Sequence, residues 1–337
     1  MSTHATTPLA LPTLADAEAA SAALAGVARS TPVLTDELLD EATGSSVHVK
    51  AEFLQRGGAY KFRGIFNRMR LLSEDERRHG IVTISSGNAG IAAAYAARLL
   101  GTSCVVVMPA EPAPQKLAAI EALGGRVVRH GSSSIEMAAR AEELSAEGRV
   151  LVHPFDHADV ISGQATMALE LLEQAPGLDV VVAPTAGGGM LAGIALALHE
   201  LGSDLELVGV QPEGAASLYR SLAAGEVTAC ETVDTLADGL AVKRCGELTF
   251  QLIRRRVNSI VLVSDDDLLA AVALYWRVLH VAVEPAGAAA LAALLRHTDF
   301  RGRRVGVLAS GGNIDVRLLQ HAVGGGSAEA WKAAARG

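Results

Sequence analysis

From residue 81 onward, short apolar runs alternate with longer segments of helical periodicity, and that alternation leaves few folds open. Strand-like runs fall at 81–85, 105–108, 127–128, 150–152, 180–183, 205–210, 260–263 and 305–308. Between them, helices are expected over 90–100, 113–123, 135–146, 160–174, 189–201, 265–280 and 285–295, with a last one beginning over 313–321. Gly101 and Gly124-Gly125 stand where helix C-termini favour a left-handed residue. Ahead of this rhythm lie a helix over 14–27 stopped by Thr31-Pro32, an alternating strand over 47–53, and a helix over 62–72. Runs such as Val180-Val181-Val182-Ala183 are apolar at every position, as a strand buried on both faces must be. The expected fold class is therefore α/β, with open, mostly parallel sheets flanked by helices. Residues 1 to about 15 are expected to fray, residues 211–259 to be less regular, and the tail after Gly324 to be disordered or loosely helical.

Composition excludes several classes. With 337 residues, half of them hydrophobic and 20% charged, the chain can build two packed domains. No uninterrupted apolar run reaches the roughly 18–20 residues a membrane span needs. No basic segment followed by an apolar block opens the chain, so no secretory signal is read. Cys104, Cys230 and Cys245 are widely spaced, with no CxxC pair, which speaks against a disulfide framework or a zinc knuckle. A cytoplasmic setting is expected. The net charge of −8 and scattered basic residues speak against nucleic acid, and Arg254-Arg255-Arg256 reads as a solvated helix end.

Four loops follow strand-like runs and open helices, where α/β folds put their ligands. The first holds Gly57-Gly58-Ala59-Tyr60-Lys61-Phe62-Arg63-Gly64. A lysine collared by aromatics loses its proton more easily, and a neutral amine is what Schiff-base chemistry with a carbonyl needs. The plainer reading of that octapeptide is a surface lysine opening a helix. The second, Ser85-Ser86-Gly87-Asn88-Ala89-Gly90, offers hydroxyls, an amide and helix N-terminal N–H groups to a carboxylate, or is simply a capped turn. The third, Ala186-Gly187-Gly188-Gly189-Met190, suits a phosphate at a helix N-terminus. It also approximates a dinucleotide loop, with Glu213 about 20 residues on as the ribose acid. The fourth, Ser310-Gly311-Gly312-Asn313, offers a hydroxyl to a heterocycle nitrogen, or is an N-cap. A lysine, a carboxylate cradle, a phosphate cradle and a terminal serine are jointly satisfied by pyridoxal 5'-phosphate and an amino-acid substrate.

These four motifs, in this order over residues 30–320, resemble those of the fold-type II pyridoxal-phosphate enzymes, in particular the serine/threonine dehydratases (ammonia-lyases) and the related serine racemases. The stretches Pro154-Phe155-Asp156-His157, Ala237-Asp238-Gly239-Leu240 and Val283-Glu284-Pro285-Ala286-Gly287 share the likeness. The resemblance implies two open, mostly parallel twisted sheets, with 1–75 and 155–325 as the large cofactor-binding domain, 76–154 as a small substrate-capping domain and 326–337 as a tail. It implies that Lys61 binds the cofactor covalently and later acts as acid/base. Asn88 contacts the ring hydroxyl. Backbone amides of Gly187, Gly188, Gly189 and Met190 hold the phosphate, and Ser310 meets the ring nitrogen. Ser85, Ser86, Asn88 and Ala89 receive the substrate carboxylate, and Glu284 lies near the cofactor face. The activity implied is β-elimination of water from L-threonine or L-serine. Racemisation with Ser86 as a second acid/base, or hydroxyaspartate as substrate, are the alternatives, and an NAD(P)-binding oxidoreductase is a remote one. Relatives of this kind are commonly dimers.

Three departures stand out. Tyr60 replaces the usual phenylalanine before the lysine. Ala186 opens the glycine loop, which is tolerable if its φ is negative. The activating-metal site of serine racemase-like relatives would fall on Gln211, the Ala215 carbonyl and Ser217, with two carboxylates missing, so no divalent-metal site is expected. His153 and His157 are expected to be structural, and Asp265-Asp266-Asp267 to cap a helix.

Overall fold

The computed structural model describes residues 10–131 and 133–336. The fraying expected at the extreme N-terminus falls, for residues 1–9, outside the described residues. Among the described residues ten strands form: β1 (Val33–Leu34), β2 (Ser46–Lys50), β3 (Ile81–Ile84), β4 (Cys104–Met108), β5 (Arg126–Arg129), β6 (Val150–Leu151), β7 (Val180–Pro184), β8 (Glu206–Pro212), β9 (Ser259–Val263) and β10 (Arg304–Leu308). The helices of the first half are α1 (Leu14–Leu24), α2 (Glu37–Thr43), α3 (Lys61–Arg70), α4 (Glu74–His79), α5 (Asn88–Leu100), α6 (Pro114–Ala122) and α7 (Ser134–Ala146). Those of the second are α8 (Ala158–Gln174), α9 (Gly189–Glu200), α10 (Ser217–Ala224), α11 (Glu247–Arg256), α12 (Asp265–Leu274), α13 (Pro285–Arg296), α14 (Val316–Val323) and α15 (Ala328–Arg336).

The strands make two sheets. One has six strands in the order β1-β2-β10-β7-β8-β9, parallel except for β1, and the other has four parallel strands in the order β5-β4-β3-β6. The larger sheet is buried on both faces by a period of two. Val180 and Val182 pack with α12 and α13 (Leu268, Leu291), whereas Val181 and Ala183 pack with α8, α9 and α11 (Ile161, Leu191, Ile253). In the smaller sheet Val106 and Met108 face α5 and α6 through Ile91 and Ile120, while Val105 and Val107 face α7 through Met137 and Leu144.

Three differences from expectation stand out. The irregular stretch holds α10 and α11, and the N-terminus of α11 is capped from far away. Asp156 accepts from the backbone N–H groups of Leu248 and Thr249, both at 3.0 Å. The tail forms α15, tied down where Lys332 pairs with Asp265 at 2.7 Å and with Asp234 at 2.9 Å. The helix expected over 265–280 leaves α geometry after Leu274, passes through a π-helical turn (Tyr275–Leu279) and stops at His280, φ 57°. For α11 and α15 the deciding partners are distant in the chain, and local periodicity does not contain them.

Candidate active site

The site begins at one edge of the larger sheet. Strands β2, β10 and β7 are neighbours, and their carboxyl ends come level, with Leu308 beside Lys50 and Val307 beside Val182. Each then delivers one of the loops singled out in the sequence. After β2 the chain turns through two 3₁₀ turns and enters α3, whose first residue is Lys61. After β7 it runs through the glycine loop into α9, and after β10 it reaches Ser310. The lysine and serine loops are stitched together: Tyr60 N–H donates to Ser310 O at 3.0 Å, and Gly312 N–H to Gly58 O at 2.9 Å. Gly58 has φ +74°, and a Cβ there would lie 2.5 Å from Asn313 Oδ1, so only glycine permits this approach. The fourth loop comes from the other sheet, between β3 and α5.

All four loops line one cavity of about 820 Å³, together with Pro154, Phe155 and Glu284. Lys61 Nζ donates to Pro154 O at 3.1 Å and sits 5.2 Å from the Tyr60 ring centroid and 5.8 Å from that of Phe155. The ring faces favour an ammonium modestly, but burial outweighs them and brings the amine down to about 8. Burial, with Glu284 adding to it, pushes the Tyr60 phenol well above its ordinary range, so it stays neutral.

Ser85 Oγ accepts from Gly87 N–H at 2.9 Å and fixes the turn, after which α5 opens at Asn88 with no side-chain cap. The Asn88 amide is engaged at both ends, donating to Glu284 Oε1 and accepting from Asn313 Nδ2 at 2.8 Å. Its Nδ2 keeps a second N–H. Helix α9 likewise opens without a side-chain cap, behind Gly188 with φ +98°. A Cβ at Gly188 would lie 2.8 Å from Thr249 Oγ1, and the Gly187 carbonyl is turned away to accept from that hydroxyl at 2.7 Å. The first-turn N–H groups of α9 are thereby left for an anion. Ala186 has no positive φ; among the described residues His280 is the only non-glycine that does. Ser310 is 5% exposed, and its hydroxyl is 3.5 Å from Ala286 O, too long to occupy it firmly. A depressed amine, an uncapped helix start and a loosely held hydroxyl on one wall suit a phosphorylated aromatic aldehyde.

The other candidates resolve as structure. His153 Nδ1 accepts from Asp156 N–H at 2.8 Å, and burial holds the ring neutral, down to about 4. His157 caps α8. Asp267 completes a capping box with Ser264 at the start of α12. Glu213 leaves β8 to pair with Arg296 at 2.8 Å, which is no ribose contact. Gln211 Oε1 accepts from Tyr219 N–H at 2.8 Å, so the buried face it presents is its Nε2 donor; that nitrogen and Ser217 Oγ have no partner. An amide that presents its N–H donor and a hydroxyl bring no anionic ligand to a divalent cation there, and among the described residues no three His, Cys, Asp or Glu side chains gather as a metal site. One residue escaped the sequence reading. Lys116 of α6 is buried and reaches Asp238 and Glu284. Its only signal is scarcity, as one of five lysines in the chain.

Comparison with known proteins gives a consistent picture. The family described as "Pyridoxal-phosphate dependent enzyme" matches residues 24–311. An L-threonine ammonia-lyase of Thermotoga maritima is 36% identical over 317 residues, covering 93% of this chain and 79% of the relative. An L-threo-3-hydroxyaspartate ammonia-lyase of Saccharomyces cerevisiae is 36% identical, covering 94% and 97%. The crystal structure of serine racemase from Dictyostelium discoideum superposes with a TM-score of 0.84 at 35% identity, covering 91% of this chain and all of that one.

Proposed function

Since the chain belongs to the pyridoxal-phosphate dependent enzyme family, we propose that it is an ammonia-lyase that eliminates water from L-threonine or L-serine and leaves a 2-oxo acid and ammonia. The observation that carries this reading is Lys61, an amine depressed to about 8 on the wall of a cavity shared with the other three loops. Bound there, pyridoxal phosphate supplies an aldehyde for amines and a ring that draws electrons from the substrate Cα. Lys61 would hold the cofactor through its amine, and as a neutral amine it can take the proton from the substrate Cα. The N–H groups of Gly187, Gly188, Gly189 and Met190 hold the phosphate. Ser85, Ser86, Asn88 and Ala89 seat the substrate carboxylate against the uncapped start of α5, and the remaining Asn88 N–H is free for the cofactor hydroxyl. Ser310 meets the ring nitrogen as a neutral hydroxyl.

The four-stranded unit, 76–154, is the capping domain of this reading, and 1–75 with 155–325 the cofactor domain. The setting we propose is a cytoplasmic homodimer acting on a free amino acid. Among the described residues no helix is long and apolar enough to cross a membrane.

The alternative substrate is 3-hydroxyaspartate, because a relative of equal identity carries that name. Racemisation is the alternative outcome, with Ser86 on the same cavity as Lys61. The deciding experiment is 2-oxo acid release from a panel of L- and D-serine, L-threonine and hydroxyaspartate isomers, with added cofactor. Release from L-threonine or L-serine, abolished in Lys61→Ala, is expected. Release from hydroxyaspartate alone would replace the substrate. Inverted amino acid without oxo acid would sink the lyase reading.

A further inference from the structure

The two sheets meet at one carboxylate. Glu284, 2% exposed, stands at the start of α13 in the six-stranded unit. Its Oε1 accepts from Asn88 Nδ2, and its Oε2 accepts from Lys116 Nζ at 3.3 Å. Asn88 and Lys116 both belong to the four-stranded unit, at the first residue of α5 and the third of α6. That unit therefore grips both oxygens of a single side chain of its neighbour. Lys116 also donates to Asp238 Oδ2 at 2.5 Å, which belongs to the six-stranded unit and is nearly half exposed. The lysine stem passes beneath the 85–89 loop, and a Cβ on Gly87 would lie 2.2 Å from Lys116 Cδ. Burial pulls the ammonium below its ordinary range, but Glu284 and Asp238 together outweigh burial and raise it, so the charge stays.

We propose that Lys116 is a positioning residue: by holding Glu284 against Asn88 it sets where the 85–89 loop stands above Lys61, and so how firmly that loop receives a substrate carboxylate. The inference rests on the reading of 85–89 as the carboxylate seat. Glu284 is the post and Asn88 the inner grip. Lys116 is the outer grip, and Asp238 steadies its ammonium from the solvent side. A neutral side chain of similar length would keep the packing under Gly87 and lose the grip. The loop would then be ordered only when substrate pays for it, which raises KM and leaves kcat nearly unchanged.

The test uses the cofactor-loaded enzyme as Lys116→Met, Asp238→Asn and the double variant. Visible absorbance first establishes that each holds cofactor. Lys116→Met is expected to raise KM about tenfold with kcat within about threefold, and to speed amide exchange in 85–100 about tenfold. Exchange in 304–308, the centre of the larger sheet, is expected to stay unchanged. Asp238→Asn, the milder change at a solvent-facing partner, is expected to raise KM about threefold, and the double variant to match Lys116→Met, because both act through one ammonium. Unchanged exchange in 85–100, equal acceleration in both sheets, or faster exchange with unchanged KM would each overturn the proposal. If even the unaltered enzyme releases no oxo acid, the functional reading fails, and the exchange arm decides the Lys116 grip by itself.

Discussion

At the scale of single residues, Lys61 is defined by what it lacks: among the described residues no carboxylate pairs with its amine to keep the proton. Its amine falls from an ordinary 10.5 to about 8 through burial. The unfolded chain holds that proton up to about 10.5 and the folded chain only up to about 8. Burying the ammonium therefore disfavours the folded state below pH 8, and that cost disappears as pH rises through this window. The same amine should be acylated in the cofactor-free protein with a midpoint near pH 8, read by peptide mass after competitive labelling. A midpoint near 10.5, like that of a solvated lysine, would contradict the account. Tyr60 gives the second residue-scale expectation. What faces Lys61 is its ring, 5.2 Å away, so Tyr60→Phe keeps the collar and should hold kcat and KM within about threefold. Tyr60→Ala removes the collar and should weaken cofactor retention about tenfold, measured by absorbance titration. A Tyr60→Phe variant as damaged as Tyr60→Ala would assign the hydroxyl a part in the chemistry.

Among elements, α3 matters most because it carries Lys61 on its first residue. It is anchored two residues later by Arg63, which is 1% exposed. Arg63 donates to Glu52 Oε1 at 2.8 Å and Oε2 at 3.0 Å, and to Glu170 Oε1 at 2.7 Å on α8. Lys50 closes the network on Glu170 at 2.8 Å. Removing the cation leaves the fully buried Glu52 with only the Thr31 hydroxyl and Glu170 with Lys50 alone, so Arg63→Ala should cost about 3–5 kcal/mol in denaturant unfolding. Arg140→Ala breaks only an exposed pair with Glu143 on α7 and should change stability by less than about 1 kcal/mol. Equal effects would show that the Arg63 network contributes nothing beyond surface pairing. This contrast also marks what the sequence could and could not disclose. Strands β3, β4, β7, β8, β9 and β10 were legible because each is a run of Val, Ile or Leu, and the four loops because glycine, serine and asparagine follow those runs. Arg63 was legible only as part of a motif, and Glu52 only as a residue at the end of the strand expected over 47–53, with no role, since its partners lie 11 and 21 residues away at Arg63 and Thr31. Helix α10 was not read, α11 was read only at its basic end, Arg254-Arg255-Arg256, and α15 only as disorder or a loose helix; Lys116 was missed because its partners are 122 and 168 residues distant.

For the whole molecule, the question is whether two sheets make two folding units. The polar grip on Glu284 is confined to one edge, but the apolar contact between the units is continuous. One core cluster runs from Leu24 of α1 through Phe62, Ile65, Phe66 and Met69 of α3 to Ile91 of α5, Val106 of β4 and Val152. Helix α3 thus belongs to both units, because its other face packs on α8 of the larger one. Melting the four-stranded unit alone would expose Phe62, Ile65 and Met69, all fully buried, at roughly 1.5–3 kcal/mol for each side chain. That sum is comparable with the whole stability of a domain, so partial unfolding should not be populated. The cofactor-free chain is therefore expected to unfold in one calorimetric transition, with calorimetric and van't Hoff enthalpies equal within error. Two resolved transitions would mean that the cluster parts at the α3–α5 contact. In that case Lys116→Met should lower only the transition assigned to the four-stranded unit.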